Sequence, residues 1–256
     1  MSVWLFDLGN TRLKYAELRA DGALGDVRAV AHDDGDGWLR ELPRGDAACI
    51  ASVAPASRRV ALMDALCARF GRQHLVRTQS RCGGLRIAYD NPQHLGVDRF
   101  LALLSALGAG DVLLVGIGTA LTIDLLDAAG RHRGGRIAPS PMLMREALHA
   151  RAAALPEIGG TYAEFADDTD HALASGCEGA ALALIERSVD RAAELLGAPP
   201  ALWLHGGGAD ALRGRLPPHR WVPDAVLRGQ ARWHVHAFAP DQARERLARD
   251  WHTLRE

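Results

Sequence analysis

Apolar and polar residues alternate along this chain in two successive blocks of similar layout. Short apolar stretches of strand length open each block, and stretches with apolar residues at helical spacing follow, separated by further strands. The first block predicts strands at 3–8, 12–18, 27–32, 48–53 and 74–78, with helices at 57–71 and 95–110. The second block predicts strands at 111–118, 120–127, 134–139 and 201–207, with helices at 141–155 and 170–197 and a short helix after the last strand.

This repeated order predicts an α/β protein made of two duplicated domains. Strands that alternate with helices are typical of layered α/β folds, and a second block of the same layout indicates duplication. The boundary falls in the glycine-containing segment 108–111. We therefore predict an N-terminal domain of residues 1–109 and a C-terminal domain of residues 110–256.

Each predicted domain has a glycine turn after its first strand, followed by a threonine. The turns read LGNT, with Thr11, and IGTA, with Thr119. Glycine lets the backbone approach a ligand closely, so each turn can direct amide N–H groups and a hydroxyl at an anion. A third turn, at 206–208, precedes a predicted helix, and helix N-termini favour phosphate. One such turn alone is equally explained by tight-turn geometry, but three at strand ends predict a phosphate site in a cleft between the halves.

The first turn also contains the single lysine of the chain, Lys14, against 29 arginines. A compact ammonium on a flexible stem suits a crowded phosphate, whereas this chain uses arginine everywhere else. The alternative is that the isolation of Lys14 is accidental. Asp7 at the end of the first strand is the natural ligand for Mg²⁺, directly or through water, because Mg²⁺ prefers oxygen ligands and keeps waters beside nucleotide phosphates.

Composition narrows the class of protein further. With 48% hydrophobic residues among 256, the chain can bury a substantial core. The formal charge of −1 and the scattered arginines give no basic patch for nucleic acid. Four cysteines without CxxC spacing indicate neither a zinc ribbon nor a disulfide framework. No apolar run has membrane-spanning length and no signal peptide is evident, so we expect a cytoplasmic protein without a membrane partner.

The glycine turns and several further segments resemble the motifs of a known family. DLGNTRLK (7–14) matches the D-x-G-N-T-x-x-K signature of type III pantothenate kinases, which belong to the acetate and sugar kinase, Hsp70 and actin superfamily. LGVDR (95–99) is similar to the G-x-D-R motif, GTALTID (118–124) to G-T-A-x-T-x-D, and the segment 134–156 to GG-x-I-x-PG ending in Leu-Pro. With DDTDHALASG (167–176) and the late GGG, the similarity covers most of the chain.

The resemblance implies two ribonuclease H-like (actin-like ATPase) domains with a cleft between them. The implied reaction is ATP-dependent phosphorylation of pantothenate to 4'-phosphopantothenate, the first step of coenzyme A biosynthesis, with Mg²⁺ as cofactor. The resemblance also implies a homodimer whose active site lies at the interface. It gives Asp98 as the general base and implies ATP contacts by Asp7, Leu8, Gly9, Asn10, Thr11, Arg12, Leu13, Lys14 and Thr119. It implies a pantothenate pocket lined by Tyr89, Gly96, Val97, Asp98 and Arg99, with Thr169 contributed by the opposite subunit.

Two positions depart from the family pattern. Gly116 stands where much of the family has an Asp that binds a monovalent cation, so a K⁺ or NH₄⁺ site loses its charged ligand here. Pro139-Ser140-Pro141 replaces Pro-Gly, and the loop must follow another path because Pro141 fixes φ and lacks an N–H. We expect the substrate side to be reshaped by the second change.

Several alternatives stay open at this point. Asp98 is also explained as a first-turn acid that complements the helix dipole, an effect worth a few tenths of a kcal/mol. His149 is explained equally by contact with substrate and by a structural role. For the whole chain, the alternatives are a non-catalytic accessory or transcriptional regulator of the same family, and a kinase of the same superfamily with another hydroxylated acceptor.

Overall fold

The computed structural model describes residues 1–32, 37–152 and 154–239, and these residues form two compact units. The first unit contains Met1–Ala109, Ala128–His132 and the described residues from Asp224 onwards. The second contains Gly110–Asp127 and Arg133–Pro223. Each unit has its own five-stranded mixed sheet, which confirms the predicted α/β class.

The first unit is built on one large sheet and a small hairpin. Its strands are β1 (Val3–Leu8), β2 (Arg12–Leu18), β3 (Arg28–Ala31), β4 (Gly45–Ser52), β5 (Phe70–Leu75), β6 (Arg81–Cys82) and β7 (Leu85–Arg86). Its first helices are α1 (Ala56–Cys67) and α2 (Val97–Ala106), and short 3-10 segments cover Gly37–Arg40 and Pro92–His94. The large sheet has the order β3-β2-β1-β4-β5, with β1 antiparallel to β2 and parallel to β4.

The second unit repeats this strand order. Its strands are β8 (Val112–Ile117), β9 (Ala120–Leu126), β10 (His132–Pro139), β11 (Ala201–His205) and β12 (His219–Trp221). Its helices are α3 (Pro141–Arg151), α4 (Thr169–Leu196) and α5 (Asp210–Arg213). The sheet order β10-β9-β8-β11-β12 matches that of the first unit strand for strand, with β8 antiparallel to β9 and parallel to β11. This equivalence supports the inferred duplication.

Apolar side chains from one face of each sheet form that unit's core. In the first unit, Phe6, Leu8, Leu13 and Ile50 are fully buried and cluster with residues of α1. In the second unit, the corresponding cluster joins β8, β9 and β11 to α4. The strand residues of each cluster alternate with period 2, as residues on one face of a sheet do, although the central strands β4 and β8 are buried on both faces.

The last described helix, α6 (Ala225–Phe238), belongs to the first unit, whereas the sequence predicts a C-terminal domain that contains every residue from 110 onwards. It packs against α2, and the buried Gln230 side chain donates hydrogen bonds to the carbonyls of Phe6 (3.3 Å) and Cys49 (2.8 Å). Arg232 donates to the carbonyls of Leu104 and Leu107 at the end of α2. The chain therefore returns to its first sheet, which a division into consecutive segments does not anticipate.

The helices predicted at 57–71, 95–110 and 141–155 all end earlier than expected, at Cys67, Ala106 and Arg151, and for the first of them the reason is clear. The helix expected at 57–71 ends at Cys67, with Ala68 as its C-cap, so Gly71 is not the cap. Residues from Phe70 join the sheet as β5 and pair in parallel with β4. The last residues that the apolar pattern assigns to the helix therefore belong to β5, which pairs with β4.

Helix length also bears on membrane insertion. Within 1–32, 37–152 and 154–239, no helix is both long enough and apolar enough to cross a bilayer.

Close packing of α6 on α2 depends on Gly229. A Cβ atom at this position would lie 1.8 Å from the carbonyl oxygen of Leu101, a backbone atom that cannot swing away. We predict that Gly229→Ala lowers the free energy of unfolding by about 3 kcal/mol or more, the upper range for overpacking a core. Urea denaturation measures this change.

The control is Gly214→Ala, because Gly214 also has helical φ and ψ but no atom within 4 Å of the place that a Cβ would occupy. This variant should keep wild-type stability to within about 0.5 kcal/mol, as expected for a surface substitution. Equal stability of the two variants would contradict the packing argument.

Candidate functional site

The first glycine turn is a tight hairpin connection between β1 and β2. Leu8 and Leu13 form the last strand pair, and the N–H of Gly9 donates to the carbonyl of Arg12 at 3.1 Å. Two side chains from outside the hairpin hold its backbone. The Nε2 atom of His32 lies 3.0 Å from the carbonyl oxygen of Gly9, and Arg58 donates to the carbonyl of Asn10 at 2.6 Å.

The turn separates buried anchors from exposed polar groups. Leu8 and Leu13 are fully buried, so any contact with a nucleotide by these two residues must come from their backbone. Asn10, Thr11 and Arg12 are exposed. The turn is therefore fixed by the core at its base and presents polar side chains at its tip.

Asp7 and Lys14 lie directly opposite each other in the antiparallel β1–β2 pair. Both side chains are partly buried. The pKa of Asp7 is raised from 3.8 to about 7, because burial and, to a smaller extent, the negative charge of Asp98 raise it more than Lys14 lowers it. The fold thus holds a carboxylate whose negative charge is costly in the absence of an additional cation.

The start of α2 fixes the orientation of Asp98. Gly96 is the N-cap residue, and Asp98 is the acidic residue of the first turn. The Oδ1 atom of Asp98 accepts a hydrogen bond from the N–H of Arg99 at 2.8 Å. A Cβ atom on residue 96 would lie 2.6 Å from that same Oδ1, so glycine at this position leaves room for the carboxylate.

Arg99 is held in place by aromatic residues of the first unit. The guanidinium is buried, donates to the hydroxyl of Tyr89 at 3.3 Å and lies 5.8 Å from the centre of the Tyr89 ring. On its other side, Tyr89 stacks against His132, with ring centres 5.9 Å apart and 9° between planes. His132 was missed by the sequence reasoning, and no motif marks it, because its part in the site depends on stacking against a residue far away in the chain.

The groups of the first unit fit a divalent cation in part. Asp7 offers a carboxylate in a setting where the nearby negative charge of Asp98 disfavours ionisation, so a bound cation would lower its pKa. In the described part of the chain, no group of three or more His, Cys, Asp or Glu residues could hold a metal ion alone. Mg²⁺ is typically bound by one or two carboxylates with waters and substrate phosphates, so Asp7 is the residue that would hold it here.

The second glycine turn, between β8 and β9, belongs to the other unit. Thr119 is partly exposed there, beside Gly118, whose N–H donates to the carbonyl of Ala120 at 3.0 Å. The late glycine turn supports the end of β8. The N–H of Gly208 donates to the carbonyl of Ile117 at 2.9 Å, and Gly206 has a φ of 95°, with the position of a Cβ only 2.3 Å from that oxygen.

Gly116, one of the two departures from the family pattern, is closely surrounded by side chains. A Cβ atom on Gly116 would lie 2.7 Å from Oγ1 of Thr122 and 2.8 Å from both Cε1 and Nε2 of His205. The imidazole of His205 therefore covers the space into which a side chain at 116 would extend. The sequence alone gave no indication of this contact.

The other predicted residues of the second unit lie at helix starts and ends. Thr169 is the first residue of α4, after Asp168, whose carboxylate caps the helix by accepting from the N–H of His171 at 2.9 Å. This hydrogen bond, together with the His171 side chain, lowers the pKa of Asp168. The Nδ1 atom of His149 is 2.6 Å from the carbonyl oxygen of Leu155, which gives this histidine a structural contact.

The segment Pro139-Ser140-Pro141, which stands where the family has Pro-Gly, forms the start of α3. Ser140 is the buried N-cap of α3, and its hydroxyl accepts from the N–H of Leu143 at 3.2 Å. Pro141 is the first residue of the helix, where a missing N–H costs nothing. This sequence starts α3 directly at the end of β10.

Known proteins share the sequence and the fold of this chain. The family model for type III pantothenate kinase matches residues 3–191. A type III pantothenate kinase of Stenotrophomonas maltophilia (strain K279a) is 58% identical over 241 residues, covering 92% of this chain and 98% of the relative. The enzyme of the same name from Xanthomonas campestris pv. campestris (strain B100) is 55% identical over 243 residues, covering 94% and 100%.

Two solved structures share the fold at low sequence identity. A protein described as a Baf family transcriptional activator from Campylobacter jejuni has a TM-score of 0.60 at 19% identity, covering 90% of this chain and 96% of that chain. A protein described as a 2-dehydro-3-deoxygalactonokinase from Sinorhizobium meliloti has a TM-score of 0.55 at 14% identity, covering 93% and 100%. Both likenesses concern the fold alone.

The raised pKa of Asp7 predicts a pH dependence of stability. An unfolded Asp7 ionises near pH 3.8, whereas the folded residue keeps its proton until about pH 7. The folded state binds more protons in this interval, so its stability falls as the pH rises through it. Asp7→Asn cannot ionise, and we expect its unfolding free energy to fall less than that of the wild type over the same interval, as measured by urea denaturation without nucleotide or Mg²⁺.

Asp64→Asn is the matched control, since Asp64 is an exposed carboxylate on α1. Its pH profile should run parallel to that of the wild type. A parallel profile for Asp7→Asn as well would show that the Asp7 pKa is not raised.

Proposed function

Since this chain belongs to the type III pantothenate kinase family, we infer that it phosphorylates pantothenate with ATP in the first step of coenzyme A biosynthesis. The observation that carries the residue assignment is the group of charged residues in the first unit. Asp7 and Lys14 lie at the phosphate turn, and the charge of Asp98 reaches Asp7 strongly enough to raise its pKa. Phosphoryl transfer needs these parts: a phosphate turn, a cation and a carboxylate that orients the attacking hydroxyl.

We assign ATP binding to the turn from Asp7 to Lys14 and to Thr119 of the second unit. The exposed Asn10, Thr11 and Arg12 contact the phosphates with their side chains, and the buried leucines contribute backbone groups only. Lys14 places a positive charge at the base of the turn. Mg²⁺ is held through Asp7, and when bound it neutralises charge that develops on the phosphates.

Asp98 is the proposed general base. It accepts the proton of the primary hydroxyl of pantothenate as the oxygen attacks the γ-phosphorus of ATP, and the bond from this phosphorus to the bridging oxygen breaks to release ADP. The carboxylate of Asp98 is held in one orientation by the hydrogen bond that it accepts from the N–H of Arg99, and Gly96 leaves room for it. The charge that Asp98 exerts on Asp7 of the phosphate turn supports the catalytic role over a purely structural one.

Arg99 is the proposed ligand of the pantothenate carboxylate. Its planar guanidinium can bind a carboxylate through two parallel hydrogen bonds, which Lys cannot do. The Tyr89 hydroxyl and ring, backed by His132, fix the position of the guanidinium before substrate arrives. Gly96 and Val97 complete this part of the pocket, as the family motif implies.

The two alternative functions, a non-catalytic regulator and a kinase with another acceptor, differ in the reaction that they predict. Relatives at 52–58% identity are named as kinases, which does not favour a purely regulatory role. The acceptor is decided by a coupled assay of ADP release with pantothenate and with other hydroxylated acids. Release that is highest with another acid would identify a different acceptor, and binding without any turnover would indicate a regulator.

We place the enzyme in the cytoplasm as a homodimer. All four cysteines are free, which suits a reducing compartment. The second unit exposes an unusual set of large apolar side chains: Ile137, Met142, Leu148, Ile158 and Phe165. An apolar groove of about 520 Å³ between α3 and α4 lies on the same unit. A second copy of the chain is the proposed occupant of this surface, and it brings Thr169 at the start of α4 to the partner's substrate.

The Asp98 assignment predicts the behaviour of one variant. Asp98→Asn keeps the size of the side chain but cannot accept the hydroxyl proton, so we expect kcat to fall by about 10² to 10⁴, the range for loss of a general base. The KM for ATP should change little, because Asp98 is assigned to the acceptor side. Steady-state kinetics with pantothenate measures both constants, and thermal unfolding checks that the variant is folded. Turnover close to that of the wild type would contradict the assignment.

The dimer proposal predicts a loss of assembly. Phe165 is 99% exposed, and Phe165→Glu places a charge on the apolar surface, which should shift the dimer towards monomer and reduce activity. Light scattering after size exclusion measures the mass. The control is Val60→Glu on α1 of the first unit, at 52% exposure, which should stay dimeric. A wild-type enzyme that is active as a monomer would refute the proposal.

A further inference from the structure

The duplication makes Asp7 and Gly116 equivalent positions. Each is the fifth residue of a six-residue strand that is first in its unit, β1 or β8. In the first unit, Asp7 lies between Lys14 of β2 and Ala51 of β4. In the second unit, Gly116 lies between Thr122 of β9 and His205 of β11. The first unit thus has its carboxylate on the middle strand with a small residue beside it, whereas the second has glycine on the middle strand with histidine beside it.

The histidine takes up the space that the equivalent side chain would need. A Cβ atom on Gly116 would approach His205 to 2.8 Å and Thr122 to 2.7 Å, closer than side-chain carbons come to such atoms in folded proteins. An Asp at 116 could be accommodated only if the imidazole moved. Because His205 belongs to the strand next to Gly116, the imidazole covers the middle strand from the side.

No carboxylate stands at position 116 itself, and the buried carboxylate of the neighbouring strand, that of Asp124 on β9, lies opposite Leu114 rather than Gly116. The carbonyl of Gly116 already accepts from the Thr122 hydroxyl at 3.5 Å, and that of Ile117 accepts from Gly208 at 2.9 Å. A K⁺ or NH₄⁺ site that depends on a carboxylate at 116 therefore does not fit the residues present. An imidazole has at least one N–H donor in either protonation state, so it can offer a partly positive edge in the space beside Gly116.

We infer that His205 replaces a monovalent cation in this enzyme, and that the second glycine turn works without K⁺ or NH₄⁺. The inference rests on the proposed kinase function. His205 is a positioning residue in this view: it fills the space over Gly116 and supports the end of β8, from which the turn with Thr119 begins. The reaction itself proceeds through the groups of the first unit already described.

The first test needs only the wild-type protein. Pantothenate phosphorylation is measured in KCl, in NH₄Cl and in tetramethylammonium chloride at equal ionic strength, and thermal unfolding is followed in the same three salts. We expect rates within about twofold of one another, a difference in transition-state stabilisation too small for a lost ligand. The unfolding temperature should likewise show no specific increase with K⁺, because a ligand that binds only the folded state would raise it.

The second test creates the site that the wild-type residues do not form. The double variant Gly116→Asp with His205→Ala restores a carboxylate and removes the imidazole. We expect its unfolding temperature and its rate to rise with KCl but not with tetramethylammonium chloride, the rate by about tenfold, as for one recovered ligand. His219→Ala serves as control, because His219 is another partly buried histidine of the same sheet, on β12, and its variant should stay indifferent to K⁺.

The outcomes separate this inference from the proposed function. A wild-type rate that rises about tenfold or more with K⁺, or a K⁺-specific rise in its unfolding temperature, would overturn the role of His205 and leave the kinase function intact. Absence of phosphorylation in every salt would overturn the kinase function, and the unfolding temperatures would still decide whether K⁺ binds. A double variant without any response to K⁺ would also count against the inference, provided that its unfolding transition shows it to be folded.

Discussion

The antiparallel pairing of β1 with β2 is the constraint on which the site depends. It sets Asp7 opposite Lys14 and closes the hairpin with the buried pair Leu8 and Leu13. A slip of either strand by one residue would turn the leucine of that strand away from the core and place the two charges on opposite faces of the sheet. The apolar core therefore fixes the positions of these two charges, and the polar tip of the turn stays exposed.

Burial of Asp7 in this hairpin has a cost in stability. A carboxylate that is partly buried near a second carboxylate prefers to stay protonated, and Lys14 offsets this only in part, since the pKa of Asp7 remains near 7. Sites that bind cations and phosphates commonly keep such unfavourable charges, because the ligand removes the penalty when it binds. The free enzyme is in this respect less stable than it could be, and the stabilisation that it forgoes becomes available for binding.

The sequence was most informative where structure is local. The apolar runs predicted β1 and β2 with the observed bounds, and the family motifs led to the right class of fold. It failed where distant segments meet. The return of α6 to the first sheet, the stacking of His132 on Tyr89 and the contact of His205 with Gly116 all join residues far apart in the chain. No periodicity records such pairs, since each depends on sheet order and register.

The two units show how a duplicated framework can keep its geometry and change its chemistry. The strand orders are the same and the glycine turns leave equivalent strand ends, yet the position of Asp7 in one unit is Gly116 in the other. A glycine in the middle of a sheet normally weakens it, because it adds no packing and costs conformational entropy. Here the imidazole of His205 and the hydroxyl of Thr122 fill the space from the two flanking strands. The loss of a side chain on one strand is thus matched by a larger one on its neighbour, and the sheet retains its packing while the local charge changes from a carboxylate to an imidazole.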